Sequence, residues 1–345
     1  MMPQRTDFSR VDAPREAWLA LATPETALEP ELPIVDAHMH LWRRQPDFRY
    51  FVEDYIRDVQ SCGHNVVASV HVECRSMYRT EGPEHLKPVG ETEFVAGMTA
   101  AAAGSTATRI AAGIIGYVDL AVEERLQEAL ETHIVAAGGR FRGVRQRAKW
   151  DADPALRGTF GAEAPGLLRR PEILRALAKL AALDLVFEAS VFHPQIPDVI
   201  AMARAAPEAN IVLIHSGSPL GFARYAGREN ETRTHWTVSM RELSKCPNVL
   251  IKLGGLLMPL ANFDYGAAAK PPTSTELAEL WRPFVEPCFE LFGAERCMVA
   301  SNFPVDKMGF GFGTVWNMYK RLAAGASVEE KRAIFGETAR RLYRL

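Results

Sequence analysis

The chain has 345 residues, 48% of them hydrophobic, which suffices for a sizeable core in one large domain or two. A formal net charge of −2 argues against a nucleic-acid surface or a polybasic membrane patch. Five scattered cysteines with no C-x-x-C pair suggest neither a disulfide framework nor a cysteine zinc site. The amino-terminal "MMPQRTDFSRVDAPREAW" is polar and lacks an apolar signal core, and no apolar run reaches the roughly 20 residues of a membrane helix. These features predict a cytoplasmic protein whose partner is a small molecule, not nucleic acid or membrane; homo-oligomerisation is left open.

After an amino-terminal extension (residues 1–32), eight short runs rich in apolar and β-branched residues read as buried strands. In order they are "PIVDAHMHLW" from Pro33, "VVASVHVEC" from Val66, "IAAGIIGYV" from Ile110, "FRGVRQRA" from Phe141, "LVFEASVF" from Leu185, "IVLIHSG" from Ile211, "VLIKLGG" from Val249 and "CMVASNF" from Cys297. Helical patterns separate them. Val122, Leu126, Leu130 and Ile134 recur at i, i+4 before two glycines, and Ile173, Leu177 and Leu180 form a similar stripe. Thr273 with Glu276, and Ser327 with Glu330, have capping-box spacing. The closing "KRAIFGETARRLYRL" mixes bases and acids at helical spacing and reads as a solvated helix face.

Alternating strands and helices predict either a parallel barrel or a doubly wound sheet. The connections decide between them. Those entering strands are short, whereas those leaving strands, such as 76–90, 151–170, 216–232 and 257–273, are long and irregular. A (β/α)8 TIM barrel carries its site on the loops that follow the strands, so one barrel over residues 33–345 is predicted.

Residues two apart on a strand share a face, which groups Asp36, His38 and His40 on the first strand. Two imidazoles there can grip a metal ion or a substrate carbonyl. His215 ends the sixth strand, and Glu73 ends the second with His71 and Arg75 on its face. Lys252 interrupts an aliphatic strand and needs an anionic partner, from the protein or from a substrate. Arg145 is a similar anion clamp, and Glu188 and His193 lie on or just after the fifth strand as candidate substrate contacts. Lys149 falls beyond the expected end of the fourth strand, a poor place for a lysine bridging two metals. His64, His85, His133 and His235 read as structural or surface residues. With no G-x-S-x-G elbow, no P-loop and no G-x-G-x-x-G, the nucleophile is water, activated by a carboxylate, a metal or both.

"PIVDAHMHLW", "HSGSPLG", "NVLIKLGGL", "RCMVASNFPVDK" and the closing "ARRLYRL" together resemble the amidohydrolase superfamily, in its amidohydrolase-2 branch. The "HLW" is similar to the group of sugar lactonases and 2-pyrone-4,6-dicarboxylate lactonases. The resemblance implies a (β/α)8 barrel that hydrolyses lactones, amides or related esters, with metal-dependent decarboxylases as a sister branch. It would make His38 and His40 the strand-one pair and His215 the strand-six histidine. Asn302 stands where many members carry an aspartate serving as base and ligand, and Gln146 stands where a histidine is expected. Three imidazoles could still hold a divalent metal, zinc or manganese, and that question stays open. In a scheme without metal, His38, His40 and His215 donate hydrogen bonds to the carbonyl oxygen. Asp306, or secondarily Glu73, then deprotonates water. The sequence thus predicts a lactonase whose substrate carries a carboxylate, held by Lys252 and Arg145. The alternatives are a metal-dependent decarboxylase and a barrel that binds a ligand without turning it over.

Overall fold

The computed structural model describes residues 11–44, 48–156, 164–255 and 267–345. Parts of the long loops expected at 151–170 and 257–273 therefore lie outside the described residues. Eight parallel strands follow one another in chain order around a single sheet. They are β1 (Ile34–Met39), β2 (Val66–Val72), β3 (Arg109–Gly116), β4 (Phe141–Arg147), β5 (Val186–Ser190), β6 (Ile211–Ile214), β7 (Val249–Leu253) and β8 (Cys297–Val299).

Closure between the last strand and the first uses the motif residues themselves. Met39 and Phe303 form a parallel bridge, His40 N–H donates to Phe303 O (2.8 Å), and Asn302 N–H donates to His38 O (2.8 Å). Beneath this seam Asp36 accepts the Ser301 amide (2.8 Å), the Ser301 hydroxyl (2.6 Å) and the Tyr55 hydroxyl (3.0 Å). Simple alternation would put Asp36 on the face of His38 and His40. A register irregularity between Asp36 and Met39 breaks the alternation, and Asp36 turns to Tyr55 on the surrounding helix Val52–Ser61. Burial raises its carboxyl to about 6 despite those donors.

The apolar residues divide into two shells. Inside the barrel, Val35, Ala37, Val70, Val72, Val186 and Val212 belong to a cluster completed by Leu342 and Tyr343 of the last helix, Thr338–Tyr343. The carboxy-terminal helix thus does more than present a solvated face: Tyr343 is fully buried and stops one end of the barrel. A larger shell packs the helices on the outside of the strands. In helix Glu123–Ala136 the buried face is Leu126, Ala129, Leu130 and His133, and Gly138 and Gly139 beyond it take φ of 56° and 81°, where a side chain would be strained. Both capping boxes form, at Thr273–Glu276 and Ser327–Glu330. Among the described residues no helix is long and apolar enough to cross a membrane.

Candidate active site

Three histidines meet at the end of the barrel opposite Tyr343. His38 and His40 leave the end of β1 and His215 follows β6; the His38 ring centroid is 4.9 Å from that of His40 and 4.8 Å from that of His215. The backbone is bent to bring them there. His215 and Asn302 hold φ of 54° and 55°, a region that non-glycine residues seldom occupy away from functional sites. Gly255 (φ 63°) lies against the His215 ring so closely that a β-carbon would sit 2.5 Å from Nδ1, so only glycine fits.

The hydrogen bonds set the tautomers. His40 Nδ1 lies 2.6 Å from Val72 O, and His215 Nδ1 lies 2.5 Å from Gly254 O. A backbone carbonyl only accepts, so each Nδ1 carries the proton and each Nε2 presents a lone pair. His38 differs: both of its ring nitrogens are buried without a hydrogen-bond partner among the described residues. All three rings are held neutral. Burial lowers each pKa well below 6.5, and neighbouring positive charge adds to it: Lys252 and Arg145 at His38, Arg145 at His40, Lys149 and Arg145 at His215. Only His38 can therefore offer an unused N–H to a carbonyl oxygen. The expectation that all three imidazoles donate gives way to one donor flanked by two acceptors.

The acids are less available than their positions suggested. Glu73, at the end of β2, accepts Arg145 Nε and Arg147 Nε (both 2.8 Å), and Arg147 Nη2 grips its other oxygen. A carboxylate pinned by two guanidinium groups is a poor proton acceptor. Asp306 is buried behind the seam, where it accepts Asn302 Nδ2 (2.9 Å) and the Gly255 amide. Burial raises its pKa well above the usual carboxylate range. Gly255 stands between it and His215.

Among the cations, Lys252 has its anion within the protein. Its Nζ donates to Glu188 Oε1 (2.5 Å), Tyr343 donates to the same oxygen (2.6 Å), and both Lys252 and Glu188 are 0% exposed. Each neutralises the other, so where a substrate anion was expected at Lys252 and a substrate contact at Glu188, the two form an ion pair inside the barrel. Arg145 remains at the imidazoles, with Nε and Nη2 on Glu73. Arg75 is exposed, past the end of β2. His193 accepts the Leu220 amide (3.3 Å) and packs edge-on against Tyr225 (5.2 Å), joining the loops after β5 and β6. A second clasp lies beside it, where Asp151 after β4 accepts Arg224 (2.8 Å) and Tyr225 (2.9 Å). His133, hydrogen-bonded to Thr92 (2.8 Å) and Tyr117 O (3.1 Å), is a core residue.

The amidohydrolase family model matches residues 35–345, from the first strand to the last residue. The chain belongs to this family. An uncharacterised protein of Sinorhizobium fredii is 28% identical to this amidohydrolase over 337 residues, covering 91% of this chain and 99% of that protein. L-fucono-1,5-lactonase of Burkholderia multivorans is 27% identical over 327 residues, 90% of this chain and 96% of the enzyme. A crystal structure of a zinc-bound amidohydrolase from Burkholderia multivorans has the same fold, with a TM-score of 0.69 at 24% identity over 90% of this chain and 99% of that one.

A divalent metal in this amidohydrolase would draw on His38, His40 and His215. The lone pairs on Nε2 of His40 and His215, each backed by a carbonyl on Nδ1, suit that use. The remainder of the donor set does not: Asn302 and Gln146 supply no anionic ligand, and Asp306 faces Asn302. Among the described residues no three His, Cys, Asp or Glu side chains converge so as to hold an ion.

Proposed function

We propose that this amidohydrolase opens a lactone that carries a carboxylate, using water as the nucleophile. The observation that carries the reading is His38: a buried imidazole whose two nitrogens have no partner among the described residues, set between two imidazoles that present lone pairs. Unsatisfied buried polar atoms are costly, and a substrate carbonyl would satisfy this one. His38 N–H donates to the carbonyl oxygen as negative charge develops on it. The His215 Nε2 lone pair takes a proton from the attacking water and returns it to the ring oxygen when the acyl–oxygen bond breaks. Asp306 acts through others, holding Asn302 and the Gly255 wall on which the His215 ring rests.

The similarity to L-fucono-1,5-lactonase over nine-tenths of the chain supports the lactone as substrate class. The decarboxylase alternative leans on a bound metal, for which the described side chains form no donor set. The test is hydrolysis of a panel of sugar lactones by the wild type, His215→Asn and Asp306→Asn, followed by pH-stat titration. Loss of a general base costs about 10²–10⁴ in kcat, expected for His215→Asn. A smaller loss for Asp306→Asn accords with a positioning role; the reverse order would make Asp306 the base.

A further inference from the structure

Lys149 is the lysine for which neither the fold nor the proposed chemistry has accounted. It lies two residues beyond β4, on a segment held at both ends by one side chain: Gln195 Nε2 donates to Ala148 O (2.5 Å), and Gln195 Oε1 accepts the Trp150 amide (2.9 Å). Ala148 N–H also donates to Ser190 O (2.8 Å), which extends the β4–β5 ladder to the residue before it. The side chain lies along Phe192, with Nζ 5.4 Å from the ring centroid. Among the described residues Nζ has no hydrogen bond and no carboxylate partner. This contrasts with Lys252, which has Glu188.

Lys149 follows the strand that carries Arg145, a group of the site. Arg145 is the charge that acts most on Lys149, and Lys149 is the charge that acts most on His215. Arg145 spends Nε and Nη2 on Glu73, and its Nη1 has no hydrogen bond among the described residues. Burial and Arg145 together lower the Lys149 ammonium to about 7, the behaviour of a cation kept without an anion. Because Lys149 follows directly on the strand of Arg145, its ammonium and the spare guanidinium nitrogen are suited to serve one carboxylate together.

We infer that Lys149, with Arg145, is the subsite that binds the substrate's carboxylate and so sets the enzyme's preference for acidic over neutral lactones. The inference rests on the lactonase reading and adds the specificity residue. It also replaces Lys252 in that role, since Lys252 is already neutralised.

The test compares kcat/KM for two matched substrates, the γ-lactone of glucaric acid, which keeps a free carboxylate, and the γ-lactone of gluconic acid, which has a hydroxymethyl group in its place. The wild type should favour the acidic lactone. In Lys149→Met the ratio of the two kcat/KM values should fall about 10- to 100-fold, the worth of one charge-assisted hydrogen bond, chiefly through KM for the acidic lactone. Lys149→Arg should restore most of it. A ratio unchanged in Lys149→Met overturns the inference. Calorimetric titration with tartrate, a small dicarboxylate that needs no turnover, separates the two readings. If no lactone is opened yet tartrate binds the wild type about 10- to 100-fold more tightly than Lys149→Met, the lactonase reading fails and the anion subsite stands. Tartrate bound equally by both, or by neither, overturns the subsite.

Discussion

The barrel holds a buried cationic group towards each end, and the two environments are opposites. Near Tyr343, Lys252 and Glu188 are 0% exposed, paired at 2.5 Å and braced by the tyrosine hydroxyl. At the mouth, among the described residues, Lys149 has no carboxylate partner and His38 has no hydrogen-bond partner for either ring nitrogen. At the Tyr343 end the two charges neutralise each other and serve the fold, although Glu188 Oε2 has no hydrogen-bond partner among the described residues. The other end is left incomplete by the protein, and a ligand would complete it. A buried charge without a counter-charge is thus a better guide to function here than the mere presence of charge.

The largest expected effect is at the closed end. Lys252→Met leaves the Glu188 carboxylate buried and unpaired and should cost about 3–5 kcal/mol of stability in urea unfolding, whereas the double change Lys252→Met with Glu188→Leu should recover much of it. A single variant as stable as the wild type would show that water already reaches the pair. At the open end the signs reverse. His38→Leu removes a buried donor that has no partner, so its unfolding midpoint should hold or rise while kcat falls by about 10²–10³. A variant that loses stability instead would place His38 with the structural residues.

Acid should act next. Burial lowers His64, His133 and His193 to about 4, so below about 6.5 the unfolded chain takes up protons that the folded chain refuses. Their contribution is complete above that pH and is lost as the pH falls from about 6.5 to about 4. Asp36, raised to about 6, and Asp306, raised well above the usual carboxylate range, work in the opposite sense over most of this window and offset some of the loss. Urea unfolding at successive pH values should show stability declining with acid, and a flat profile would contradict these assignments. A chelator should leave lactone opening unchanged, with metal content by elemental mass spectrometry as the control; loss of activity restored by zinc or manganese would turn the three imidazoles into ligands. The smallest effect belongs to the rim. Tyr225→Phe removes one of the two donors to Asp151 and should cost about 1 kcal/mol, with activity nearly intact.

Much of this was legible in the residues. Periodicity, the eight apolar runs and the contrast between short and long connections specify the order of the strands, because a strand buried on both faces has to be apolar in a way that a loop does not. The H-x-H pair and His215 were legible for a related reason: a histidine at the end of an aliphatic run leaves the core where the loops begin. Capping boxes are local, and both formed as their spacing required.

What the sequence by itself could not determine is which charges meet. Lys252 and Lys149 both invite an anion, and only the tertiary structure gives one of them Glu188, 64 positions away along the chain. It likewise pins Glu73 with Arg145 and Arg147 from β4, turns Asp36 away from the histidines through a break in register, and sends Tyr343 into the barrel. The tautomers of His40 and His215 were equally hidden, being set by the carbonyls of Val72 and Gly254. The physical reason is common to all of these. Hydrophobic patterning and caps act over a few residues, whereas the pairing of a buried charge or a ring nitrogen depends on which strands the closed barrel brings side by side.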